Sequence, residues 1–237
     1  MSDKPSVEIF NSWDLYKNIV LNNWMRHEQM AQFIHKSSKG LQLKVLDLGC
    51  GDGQMARQGL CDCQIEKYVG IDLSQDALDH LKRAGGLGPS PQTVLGDIQE
   101  SIQQIPDQSF DLVLASYSLH HFQSDRKMVV LKEIRRILSP KGLFLWIDIA
   151  CLEEEDRSGY LSRIEHEIES KWIPMPQKHR EDAIEHIFHH DFPEKQSWMI
   201  QAWEKSSETL SPSPSKIHLN RCSVGYRDPF YVALQLR

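Results

Sequence analysis

No stretch of this chain approaches the roughly 20 consecutive apolar residues needed to span a bilayer, so no transmembrane helix is expected. Basic charge is also short: 27 Lys and Arg stand against 33 Asp and Glu, a net charge of −6. A general nucleic-acid binder would show a basic face, so that class is set aside, as is a membrane-surface protein. No block of like charge exceeds Glu153–Asp156. Cysteines are few and odd in number: Cys50, Cys61, Cys63, Cys151 and Cys222. They lack framework spacing, and Cys61-x-Cys63 is too close for C-x-x-C zinc or redox chemistry. Reduced thiols in a cytoplasmic protein are the expectation. Met1 to Pro5 has no apolar core or small-residue cleavage site, so it does not read as a signal peptide. There is no internal repeat.

What is present is an alternation of strand and helix signals. Residues from about Ser12 to Lys36 read as one helix, with Trp13, Tyr16, Val20 and Trp24 on helical spacing. Apolar runs at Lys44–Leu48, Tyr68–Asp72, Asp111–Ala115 and Leu143–Ile149, with a short β-prone piece at Thr93–Leu95, read as buried strands. Ser74 and Ser124 read as helix caps between them, and Pro140-Lys141-Gly142 as a turn. Continuous apolar strands separated by helices imply a parallel sheet covered on both faces. After Ala150 the chain becomes charged and helical, without strand signals, to about Glu208. Within it, Asp191-Phe192-Pro193-Glu194 reads as a helix start with Asp191 as cap. Ser211–Ser215 reads as a linker, followed by two antiparallel strands around Ile217–Val224 and Phe230–Leu236.

The sharpest feature is V-L-D-L-G-C-G-D-G from Val45 to Gly53. A strand that runs into Gly49, Gly51 and Gly53 has stopped packing side chains and offers backbone for close approach. In a doubly wound sheet this is where ligands bind. The literal G-x-G-x-x-G dinucleotide fingerprint fails, because its third glycine would fall at Gln54. Asp47 and Asp52 beside the loop would repel a pyrophosphate and suit a ligand with positive charge.

The pattern Asp47-x-Gly49-x-Gly51-x-Gly53 resembles the first motif of class I S-adenosylmethionine-dependent methyltransferases. Gly70-Ile71-Asp72-Leu73-Ser74, Gly96-Asp97-Ile98, and Phe110–Ser116 with Leu119-His120-His121 resemble its later motifs in order. The resemblance implies a mostly parallel seven-stranded sheet, with a C-terminal antiparallel hairpin, an N-terminal helix and a helical insertion after the fifth strand. It implies one domain over 1–237, divided as an N-terminal cap (1–43), a cofactor core (44–150), a helical cap (151–210) and a hairpin (211–237). S-adenosylmethionine is the implied cofactor. Asp47, Gly49 and Gly51 would face its amino-acid end, Asp72 and Leu73 its ribose, and Asp97 and Ile98 its adenine, with Ser116 nearby.

Methyl transfer is an in-line displacement on an activated donor, so alignment is the protein's main task. A base is needed only for a protonated acceptor, and His121, His120 and Asp148 are its candidates, with His121 preferred. Ala115-Ser116-Tyr117-Ser118 departs from the Asn/Asp-Pro-Pro-Tyr/Phe of relatives that methylate nucleic-acid amino groups. A small organic acceptor is therefore expected, with Tyr117, Arg157, Tyr160, Trp172 and His190 as its wall. His186, His189 and His190 with Asp191 have metal-like spacing, but no cysteine or distant carboxylate completes a motif, so no metal is expected. Two rivals remain: a non-catalytic module that only binds the nucleotide, and, disfavoured by Gln54, an NAD-dependent oxidoreductase.

Overall fold

The computed structural model describes residues 13–207 and 222–237. The 211–215 linker and the start of the first hairpin strand lie outside these residues, as does the side chain of Trp13. In chain order come α1 (Trp13–Leu21), α2 (His27–Ser38), β1 (Gln42–Leu48), α3 (Gln54–Gly59), β2 (Gln64–Asp72), α4 (Gln75–Ala84), β3 (Gln92–Leu95) and α5 (Ile98–Ile102). There follow β4 (Phe110–Ser116), a 3-10 turn (Leu119–His121), α6 (Ser124–Ile137), β5 (Leu138–Cys151), α7 (Arg157–Lys171) and α8 (Gln177–His190). Last come β6 (Glu194–Lys195), α9 (Gln196–Lys205), β7 (Cys222–Arg227) and β8 (Tyr231–Leu236).

The sheet order is β3-β2-β1-β4-β5-β8-β7, with β6 paired to the end of β5. Strands β1 to β5 are mutually parallel, and the β7–β8 hairpin is antiparallel and joins through β8 to β5. Successive strand residues face opposite sides, and both sides are dry. Val45 enters one apolar cluster and Leu46 the other; Leu145 and Trp146 divide likewise. This double burial is why the strands carry unbroken apolar runs. The order of strands reverses direction between β1 and β4, so their carboxyl ends leave a crevice there.

Four local expectations are corrected. The N-terminal helix is two helices, broken at Asn23 and Arg26, which both take positive φ (52° and 60°). Asn23 Oδ1 accepts from Glu28 N–H at 3.0 Å and so helps start the second helix. Pro140-Lys141-Gly142 lies inside β5, as an irregularity where Phe110 and Leu112 pair with Leu138 and Leu143. Ser124 is the first residue of α6, and its hydroxyl donates to Glu194 instead of capping. Asp191 does not begin a helix: it ends α8, and Glu194–Lys195 runs extended beside β5. The Asp191 stretch is held by tertiary partners, Phe192 N–H donating to His120 O at 2.7 Å and Lys127 Nζ to Phe192 O at 2.5 Å. Ser74 caps α4 as expected, accepting from Ala77 N–H.

Candidate active site

Gly49, Gly51 and Gly53 all adopt left-handed backbone, with φ of 69°, 54° and 74°. A Cβ on Gly49 would overlap the side chain of Ser118, whereas one on Gly51 would meet only open space. The loop is tied to the end of β2: Gly49 N–H donates to Ile71 O at 2.8 Å, and Gly51 N–H to Asp72 Oδ2 at 2.8 Å. Asp72 Oδ1 also accepts from Ser74 N–H at 2.9 Å. Burial nevertheless raises the Asp72 carboxyl above its ordinary range, with these backbone donors opposing it. Asp47 is buried and accepts from Tyr68 Oη at 2.7 Å. Cys50 packs its sulfur against Gly70, as a small filler would.

A cavity of about 320 Å³ runs from this loop to the insertion helices. Asp47, Gly49, Gly51, Asp72, Leu73, Asp97, Ile98 and Ser116 all line it. Asp97 is partly committed: Oδ1 accepts from Gln99 N–H at 2.8 Å, and Arg126 Nη2 lies 3.3 Å from Oδ2. Ser116 Oγ is buried and has no hydrogen-bond partner.

Beyond β4 the cavity continues past Tyr117, His120 and His121 to Tyr160, Trp172, His186, Asp191 and Tyr231. Tyr117 has φ of +54°, a strained setting for a bulky residue, and its hydroxyl donates to Met25 O. His120 Nδ1 lies 2.5 Å from Asp148 Oδ1, and Asp148 Oδ2 accepts from Trp146 Nε1 at 3.1 Å. Burial alone would lower the basicity of His120, but Asp148 and Asp191 outweigh it and hold the imidazole above its usual range. His121 goes the other way, pushed well down by burial and by the neighbouring His120 and His186. Its Nδ1 is 3.3 Å from His190 O, which fits the Nδ1–H tautomer with the basic lone pair on Nε2.

Arg157 and His190 lie outside the lining. Arg157 donates to Asp191 O at 2.7 Å and Phe188 O at 2.6 Å, so it fixes the turn that carries Asp191. Trp172 lines the cavity and stacks on Trp24, ring centroids 5.0 Å apart. Sequence reasoning missed Asp191, His186, His27 and Tyr231 as lining residues. In the sequence Asp191 has the pattern of a helix cap, and no local signal joins His186 to His120 across the chain. Burial drives the His27 pKa down to about 4 with no charge opposing it, and its Nδ1 has no partner.

Residues 45–142 match the family model described as a methyltransferase domain. An uncharacterized methyltransferase of Schizosaccharomyces pombe is 31% identical over 129 residues, 50% of this chain and 48% of that protein. The chain thus spans about half the length of this relative. The uncharacterized methyltransferase YcgJ of Bacillus subtilis is 24% identical over 217 residues, 87% of this chain and 83% of its own. The solved complex of DhpI with SAM and HEP superposes with a TM-score of 0.63 at 15% identity, covering 98% of this chain and 96% of that one. Residues 45–142 thus form a methyltransferase domain, and the chain shares the fold of solved S-adenosylmethionine-dependent methyltransferases. S-adenosylmethionine is the cofactor that such a domain implies, and the site fits it: the Gly51 backbone opens onto the cavity, Asp72 is presented at the loop, and Ser116 Oγ is buried without a protein partner. Among the described residues no helix is long and apolar enough to cross a membrane.

Proposed function

We propose that this methyltransferase transfers a methyl group to an oxygen or nitrogen of a small organic acceptor, and that the whole chain works as one unit in the cytoplasm. The carrying observation is the continuity of a single cavity from Asp72 and the glycine loop to the His120–Asp148 pair. S-adenosylmethionine, when bound, supplies an electrophilic methyl group on a sulfonium. Asp72 and the Gly49–Gly51 backbone would hold its nucleoside and amino-acid parts, Leu73 and Ile98 would flank the base, and Asp47 would complement its ammonium. Apolar side chains of Ile19, Met25, Ile149, Ile164 and Ile187 join Tyr160 and Trp172 in lining the cavity. They suit an acceptor with an apolar body and one polar group directed at the histidines. The segments before residue 44 and after residue 150 act as its cap.

For a protonated acceptor we assign the base to His120 in preference to His121. Asp148 fixes the His120 ring and raises its basicity, so Nε2 can take the acceptor's proton as the methyl group is attacked. His121 is instead pushed well below its usual basicity by burial and by His120 and His186. The test is methyl transfer from labelled S-adenosylmethionine to a panel of small hydroxy, carboxy and amino compounds. Transfer to at least one is expected, with His120→Asn lowering kcat by about 10²–10⁴-fold for a hydroxyl acceptor. Donor binding without turnover on any acceptor would instead favour a nucleotide-binding module.

A further inference from the structure

Asp191 is 95% buried (5% exposed) and its Oδ1 accepts no hydrogen bond. Three imidazoles surround that oxygen: His121 Nδ1 at 3.4 Å, His120 Nε2 at 3.6 Å and His186 Nε2 at 4.0 Å. Ligand atoms of His120, His121 and Asp191 all lie within 4.8 Å of one another. A buried carboxylate oxygen without a donor is costly and calls for a positive partner. Lys127 and Arg157 do not supply it to Oδ1. Lys127 is spent on Glu194 and Phe192 O, and Arg157 reaches only the Asp191 and Phe188 carbonyls.

We propose that His120, His121 and Asp191 bind one divalent transition-metal ion, zinc by their chemistry, at the acceptor end of the cavity. Two imidazoles and one carboxylate are a zinc-type donor set, and three protein ligands leave the fourth position for substrate. With bonds of about 2.0–2.1 Å, tetrahedral ligands sit about 3.3–3.4 Å apart, close to the separations from Asp191. The outer shell is also in place. Asp148 holds Nδ1 of His120, leaving Nε2 to ligate, and Asp148 is itself held by Trp146. Binding through His121 Nδ1 would exchange its contact with His190 O for the ion. His186 lines the same end of the cavity, its Nε2 4.0 Å from Asp191 Oδ1. The proposal rests on this end of the cavity being the acceptor end. With the ion bound, His120 Nε2 is a ligand and no longer accepts a proton; the ion takes over that task, holding the acceptor's attacking oxygen or nitrogen and favouring its deprotonated form, the proton leaving to water.

The test uses the full chain, stripped with a chelator, titrated with zinc against a chromophoric competitor and with cobalt for its tetrahedral absorption. One ion per chain is expected. Asp191→Ala should abolish binding, and the shape-conserving Asp148→Asn should weaken it by about 10–100-fold. S-adenosylhomocysteine binding serves as the folding control for both. His35→Ala, at the separate His35–Cys61–Asp62 group, should leave zinc binding unchanged. No zinc bound by folded wild-type protein, or binding kept in Asp191→Ala and lost in His35→Ala, overturns the proposal. Methyl transfer at full rate in chelator with no zinc bound overturns it too, and leaves the methyl-transfer reading standing. Zinc bound as described but no acceptor methylated supports the site while removing that reading.

Discussion

Burial pushes the Asp47 carboxyl up to about 7 from an ordinary 3.8; the Tyr68 hydroxyl lowers it and nearby Asp72 raises it further. The native state therefore holds a proton that the unfolded chain has lost between about pH 4 and pH 7. Stability must fall as pH rises through that window and level off above it. Asp47→Asn removes the penalty while keeping an acceptor for Tyr68. In the ligand-free protein its Tm should exceed wild type at pH 8, by a margin that shrinks toward pH 4, as followed by circular dichroism. A constant margin across this range would show that Asp47 is not the titrating group. Gly49 makes a second case at this scale. Its positive φ and the Ser118 side chain together exclude a Cβ. Gly49→Ala should cost about 1–3 kcal/mol from the overlap alone, read from the urea midpoint. Both residues were legible in the sequence, because a strand dissolving into alternate glycines beside an acid has few other uses. The shift of Asp47 was not legible, since Tyr68 and Asp72 meet it only across the sheet.

The helices after β5 explain what could and could not be read locally. Leu161, Ile164, Ile168 and Trp172 form the expected stripe, and all are buried. Trp172 faces the cavity and stacks on Trp24, so the N-terminal segment and the insertion share one contact. Trp172→Ala should destabilise the chain by about 3–5 kcal/mol and weaken acceptor binding, measured by denaturant titration and by KM. An unchanged urea midpoint would contradict that packing. By contrast, Asp191-Phe192-Pro193-Glu194 carries a sound capping pattern that the fold overrides. Its backbone is claimed by His120 O and Lys127, more than sixty residues earlier in the chain. The break between α1 and α2 escaped for a related reason: helical spacing continues across Asn22–Arg26, while the positive φ values at Asn23 and Arg26 interrupt the helix.

At the scale of the molecule, the parallel sheet and its hairpin follow from strand composition, because strands buried on both faces cannot alternate. The donor half of the cavity was legible too, since Asp47, Asp72 and Asp97 each sit at or just past a strand end within two residues of a glycine. The acceptor half was not. It is assembled from β4, β5, α7, α8 and β8, and its histidines come from two segments that no short motif links. Aligning donor and acceptor in one cavity is the whole molecule's contribution to rate, because well-oriented reactants alone can supply roughly 7–11 kcal/mol. That contribution depends on the donor half binding as Asp72 and the glycine loop imply. Calorimetric titration with S-adenosylmethionine tests it most directly. One site per chain is predicted, with Asp72→Ala weakening it by about tenfold or more, as expected for loss of a charged acceptor. No binding heat to the folded wild-type chain at millimolar ligand, or equal affinity in Asp72→Ala, would contradict the account.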